Sequence, residues 1–275
     1  AIMDYDVSTG DNYSTGVQFA HVPWGGWYVD YWWMTKAKPR GLVASYRMAE
    51  SEGRVVWDEF GVVHALLRGN AQRAYDPGMR TQVMRLDGTT AYLVLDRNLA
   101  AMRSATYSLW VKPNGANTDR AALFMGGAAN RYLRVVPRDG DGRARVRIAS
   151  GATATEWISQ SVVPEGTWTN LAISFDADTG LGTLYVNGQA EDLSSTTLLP
   201  EDVLGPNDYV DGEALYVGRD WNGNLFAGDV VDLRVFNVAL SDQEIETSIL
   251  RSGSCIGALF TDAPMDFDGS TTEVQ

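Results

Sequence analysis

One cysteine stands in 275 residues. Cys255 alone excludes an intrachain disulfide and the usual multi-cysteine zinc sites, and reads as a small apolar filler or a free thiol. Histidine is almost as scarce. His21 and His64 are the two in the chain, neither lies in a nucleophile motif, and serine–histidine chemistry therefore finds no support. No apolar run approaches the roughly 20 residues that span a bilayer, so no membrane insertion is expected. The opening residues, AIMDYDVSTGD, lack the basic start and apolar core of a signal peptide; either a signal was removed or the chain is a piece of something longer. Basic residues are outnumbered 22 to 35, for a net charge of −13. Like charges repel, which argues against nucleic acid and against an anionic membrane surface.

What is present points to strands. Glycine occurs 28 times and aromatic residues make up 11% of the chain, while long helical patterns are few. Turns need glycine and strands favour rings, so the composition fits an all-β sandwich. Ala105–Pro113 reads as a strand with Tyr107, Leu109 and Val111 on one face. Residues 123–127 and 132–136 read as the next two, and the Asp139-Gly140-Asp141-Gly142 hairpin leads into residues 144–148. Residues 168–175 and 182–186 are strands either side of a turn, and Asn187-Gly188 is a type I′ hairpin pair. Strands so read recur about every ten residues from Leu42 to Phe236, the spacing of a sandwich or jelly roll.

The chain is organised around residues 216–250. A glycine-ended strand at Tyr216-Val217-Gly218 leads to a polar loop, Asp220-Trp221-Asn222-Gly223-Asn224. A strand over residues 230–236 and a short helix opened by Ser241 complete the unit. Ser241 and Glu244 have the spacing of a capping box. Residues 1–40 differ from the rest. Trp24, Trp27, Tyr28, Tyr31, Trp32 and Trp33 crowd around Gly25-Gly26, either as buried rings or as a platform for sugars. A polar, proline-containing break at residues 36–41 closes this segment. At the other end a Gly/Ser connector precedes Met265-Asp266-Phe267-Asp268-Gly269, which echoes Met84-Arg85-Leu86-Asp87-Gly88. The echo is either the start of a repeated module or a chance turn.

Several of these stretches resemble bacterial laminin-G-like domains of the concanavalin A-like class. They include Leu42-Val43-Ala44 with Tyr46, Glu50 with Gly53, Leu86-Asp87-Gly88 with Tyr92, and Gly166-x-Trp168 leading to Leu184-Tyr185-Val186-Asn187-Gly188. The resemblance implies an all-β, concanavalin A-like two-sheet β-sandwich, a jelly roll with N- and C-terminal extensions. The expected divisions are residues 1–40, an extension or the end of a preceding domain; residues 41–252, the jelly roll; and residues 253–275, a linker and first strand of a following module.

The resemblance also suggests function. Glucanases of the class carry paired carboxylates about 5–9 Å apart, which glycoside cleavage needs. Neither Glu-x-Asp-x-Glu nor Glu-x-Asp-x-x-Glu occurs here, so the chain is expected not to be an enzyme. A structural calcium ion is the cofactor the resemblance implies, with Asp58, Gly61 and Asp232 as its ligands. Val62 and Val231 replace oxygen donors of the family pattern. For a ligand, Trp221 with Asn222 and Asn224 has the composition of a sugar site, a ring to stack and amides to bond hydroxyls. Trp157 and Tyr209 are read as loop residues converging on it. The expectation is a non-catalytic recognition module, extracellular or at the cell surface. Its partner is a glycan or an extracellular protein, with self-association through the terminal segments. Two alternatives stand beside it: a structural subunit of an adhesin or filament, and an accessory domain of a secreted glycoside hydrolase.

Overall fold

The computed structural model describes residues 19–21, 27–29, 39–50, 52–60, 63–115, 119–128, 130–204 and 215–251. Contacts divide the chain into two units, Ala1–Arg40 and Gly41–Gln275. In the first, β1 (Phe19–His21) and β2 (Trp27–Val29) form an antiparallel pair with Phe19 opposite Val29. The remaining aromatic residues of that segment, and the Met265 echo, lie outside the described residues.

The second unit begins with β3 (Leu42–Tyr46), β4 (Val55–Val56), β5 (Ala65–Arg68), β6 (Gln72–Asp76), β7 (Thr81–Asp87) and β8 (Tyr92–Leu95). It continues through β9 (Ala105–Pro113), β10 (Leu123–Ala128), β11 (Arg131–Val136), β12 (Arg143–Ser150) and β13 (Thr153–Val162). Then come β14 (Thr169–Asp176), β15 (Leu181–Val186), β16 (Gln189–Ser195), β17 (Leu215–Val217) and β18 (Ala227–Phe236). Two sheets result. One runs β13-β12-β11-β10-β17-β8-β5-β4, and the other β16-β15-β14-β9-β18-β7-β6, with β3 also paired to β18. This is the expected two-sheet sandwich.

Alternation builds the core between them. On β12, Ala144, Val146 and Ile148 are buried while Arg143 and Arg147 are exposed, the period of two that sends successive side chains to opposite faces. Trp157 crosses from the first sheet to the second. Its ring meets Phe175 edge-on at 5.5 Å and its indole N–H donates to the Gly182 carbonyl at 2.8 Å. A Cβ on Gly182 would overlap that indole, so only glycine fits beneath it. Asn187 and Gly188 both have positive φ, 49° and 78°, as the expected type I′ turn between β15 and β16 requires.

The outer face of the second sheet is covered. Ser241 caps α1 (Asp242–Ile245), its backbone N–H donating to Glu244 Oε2 at 2.9 Å, and a π-helix continues over Glu246–Arg251. Ile245 and Ile249 seat this segment on Leu42, Ala172, Tyr185 and Phe236. Each such aliphatic side chain, fully buried, contributes about 1.5–3 kcal/mol. The first sheet's outer face carries no such helix among the described residues, and the candidate site lies on it.

Candidate functional site

On β10 and β11 the inward side chains are Leu123, Met125, Leu133 and Val135. Alternation therefore sends Phe124, Tyr132 and Arg134 outward. Phe124 pairs with Arg134 in register, and its ring stacks on Tyr132 at 5.8 Å and 25°. These three make a floor. One wall is Asp119 and Arg120, just before β10. The other is the β17–β18 loop.

That loop is closed on itself. Asp220 Oδ1 accepts the Asn224 backbone N–H at 2.9 Å and Oδ2 accepts the Asn224 amide at 3.0 Å. Gly223 N–H donates to the Asp220 carbonyl at 3.1 Å. An Asp that bonds groups a few residues on folds such turns without help from a ladder. At the loop base the Arg219 guanidinium lies 4.8 Å from the Tyr92 ring and 5.2 Å from Tyr216. Across the cleft, Arg134 donates to the Asp119 carbonyl, and its Nη2 stands 3.9 Å from Asp220 Oδ2. Held this way, Trp221 stays 41% exposed at the rim. The open cleft measures about 340 Å³.

A larger cavity, about 550 Å³, lies near Gly69 and Arg85. It has no aromatic lining, and two of its three charged groups, Arg85 and Asp87, are committed. Arg85 pairs with Asp229 at 2.8 Å. Asp87 accepts backbone N–H groups of Thr89, Thr90 and Ala91. Burial works against Asp87 ionising, yet those donors hold its carboxyl well below the usual range. A ring surface with convergent polar groups marks a ligand site better than volume does.

Of the residues singled out from the sequence, Trp221, Asn222 and Asn224 come together on this cleft. Trp157 does not. It sits on β13, fully buried in the core, because β13 is a strand and not the loop that was expected. Tyr209 lies outside the described residues. Asp119, Arg120, Tyr132, Arg134 and Asp220 line the cleft without having been foreseen.

The calcium expectation does not fit the donors described. β18 bulges at Asp232, which has φ 53°, and its neighbour changes there from β7 to β3. The Asp232 carboxylate turns to Arg234 and accepts Nε at 2.8 Å and Nη2 at 2.9 Å. A cation there would face a guanidinium of its own sign. Asp58 is buried and accepts the Ser45 backbone N–H at 2.8 Å. Gly61 lies outside the described residues. Among the described residues no three His, Cys, Asp or Glu side chains gather to hold a metal.

A family model described as the concanavalin A-like lectin/glucanases superfamily matches residues 87–246. No curated protein matches the chain. Among solved structures, one similar to it is domain 4 of AbnA, a GH43 extracellular arabinanase from Geobacillus stearothermophilus, in complex with arabinotriose. The identity is 22% and the TM-score 0.62, over 76% of this chain and 98% of that one. The Trypanosoma rangeli sialidase in complex with sialic acid is 19% identical with a TM-score of 0.58, covering 80% of this chain and 34% of that one. The receptor binding domain of the botulinum neurotoxin C/D mosaic serotype is 13% identical with a TM-score of 0.55, over 76% and 50%. The chain thus spans about a third of the sialidase and half of the toxin domain. At these identities the likeness is one of fold. With more than half of its length matched by the family model and its two sheets in place, this chain belongs to the concanavalin A-like lectin/glucanases superfamily.

Proposed function

We propose that this chain is a non-catalytic, extracellular module that binds a saccharide in the cleft below Trp221, within a larger multidomain or repeated assembly. The observation that carries the reading is Trp221, exposed beside two amides over a floor of Tyr132 and Arg134. A flat ring stacks on the C–H face of a sugar, while amides and a guanidinium bond its hydroxyls. The arabinanase domain bound to arabinotriose supports the class of ligand. A hydrolase would need an acid and a base flanking the bond to be cut. The two carboxylates on this cleft are Asp119 and Asp220. Asp220 is 5% exposed and holds the loop through Asn224, which favours binding without cleavage. Among the described residues no helix is long and apolar enough to cross a membrane. The test is a saccharide panel, arabino-oligosaccharides included, presented to the whole chain, with product analysis after prolonged incubation. Binding without new reducing ends supports the reading. Turnover, or no binding across the panel, counts against it.

A further inference from the structure

The cleft does not stop at Arg134. A second cavity of about 330 Å³ shares Asp119, Tyr132 and Arg134 with it and adds Arg145, Arg147 and Glu156. Arg134, Arg147 and Glu156 fall on one cross-strand row with Phe124. Phe124 faces Arg134, Arg134 faces Arg147, and Arg147 faces Glu156. Directly paired residues share a face of the sheet. At about 4.8 Å per strand, the row runs about 14 Å from Phe124 to Glu156. It is long enough to extend the cleft across the sheet.

The second cavity is lined by three arginines, Arg134, Arg145 and Arg147, against two carboxylates, Asp119 and Glu156. Residues 131–147 carry six arginines against two aspartates, in a chain whose net charge is −13. Arg145 bonds Asp139 at 2.9 Å, while Glu156 stands 3.6 Å from Arg145 and 3.9 Å from Arg147. Those last two separations exceed hydrogen-bond length, so Glu156 pairs loosely with both. The Nε atoms of Arg134 and Arg145 are buried with no acceptor. Arg147 has 46% of its side chain exposed. A guanidinium fork matches a planar or tetrahedral oxyanion in two hydrogen bonds at once.

We infer that this row is a second subsite, which takes an oxyanion carried by the same saccharide chain that stacks on Trp221. The ligand is then an extended acidic oligosaccharide crossing the strands, its carboxylate or sulfate on Arg147 and Arg134. This rests on the saccharide reading of the first cleft. Surface Arg–Glu ladders also serve sheets simply as cross-strand pairs, so the test has to separate recognition from stability.

Calorimetry of the full chain with arabinotriose, trigalacturonate and a sulfated trisaccharide does so, in wild type, Arg147→Gln and Arg147→Lys. Wild type should prefer a charged trisaccharide over the neutral one by about tenfold, as one charge-assisted hydrogen bond gained implies. That preference should vanish in Arg147→Gln, return in part in Arg147→Lys, and shrink as salt shortens the screening length. The trigalacturonate and sulfated arms show which oxyanion it takes. Equal affinity for neutral and charged ligands in wild type overturns the subsite and leaves the Trp221 cleft standing, as does a preference unchanged in Arg147→Gln. No affinity for any saccharide overturns both. Melting curves of the two variants, which alter a half-exposed side chain, verify that each is folded.

Discussion

Asp220 and Asn224 grip each other twice, each carboxylate oxygen taking one N–H of Asn224, at 2.9 and 3.0 Å. The two hydrogen bonds close the loop whose tip is Trp221. Asp220→Ala removes both and leaves Asn224 without its acceptors. Two such bonds contribute about 1–3 kcal/mol in total. The expected outcome is a modest loss of stability, faster amide exchange confined to residues 220–224, and saccharide affinity lowered about as much as by loss of Trp221. Hydrogen exchange with calorimetry reads both. Unchanged exchange in the loop would show that something else holds it.

Gly182 and Trp157 give a second prediction, directed at the core. Gly182→Ala forces a methyl into the indole, and overpacking of this kind costs about 1–3 kcal/mol. Denaturant unfolding should show that loss with an unchanged m-value. Near-UV circular dichroism should register the displaced indole. A neutral result would mean that β15 moves aside without cost.

The acid limb of stability has a named contributor. Burial opposes the charge on Asp76, but its hydrogen bond from Lys112 at 2.7 Å, the Met79 backbone N–H and other donors bring its pKa down to about 2. A carboxyl lowered on folding stabilises above its unfolded pKa and loses that contribution as pH falls through the folded one. From the ordinary 3.8, the window therefore runs from about pH 4 down to about 2. Lys112→Met should melt below wild type at pH 6, with the gap narrowing across that window. A gap of constant size from pH 6 to pH 2 would remove Asp76 from the account.

Ile245 is fully buried beneath α1, on the side of the molecule away from the cleft's sheet. Ile245→Ala should cost about 2–5 kcal/mol. Stability should fall while the folded fraction keeps its saccharide affinity, since neither cleft touches this helix. Thermal melts paired with calorimetry below the melting range separate the two effects.

Much of the fold was legible because turn chemistry and alternation agreed. Ala105–Pro113 is a strand with the bounds read from the sequence. Asn187-Gly188 and Ser241 with Glu244 do what their types predict. β13 and β16 were missed for one reason. Both are outermost in their sheets, and TATEWISQSV and QAEDLSS bury so few side chains that no clean alternation survives. Trp157 was consequently assigned to a loop. The Trp221 loop stood out through its Asp, Asn and Gly content, but its floor did not. Which of Phe124, Tyr132 and Arg134 face outward depends on where the second sheet packs, and no single strand reveals that. Asp232 misled because the bulge turns its carboxylate to Arg234, a geometry that the spacing of residues 228–234 does not announce.

One titration asks most directly whether Trp221 and its loop bind a saccharide. Wild type and Trp221→Ala are titrated, under one buffer, with the saccharide that the panel ranks first. Losing a ring that buries much of its area on the ligand should weaken binding by about 2 kcal/mol, roughly thirtyfold. The melting temperature should stay within a degree or two, because Trp221 is already 41% exposed. Weaker binding with an unchanged melting temperature is the expected pair of results. Equal affinity in the two proteins would contradict it.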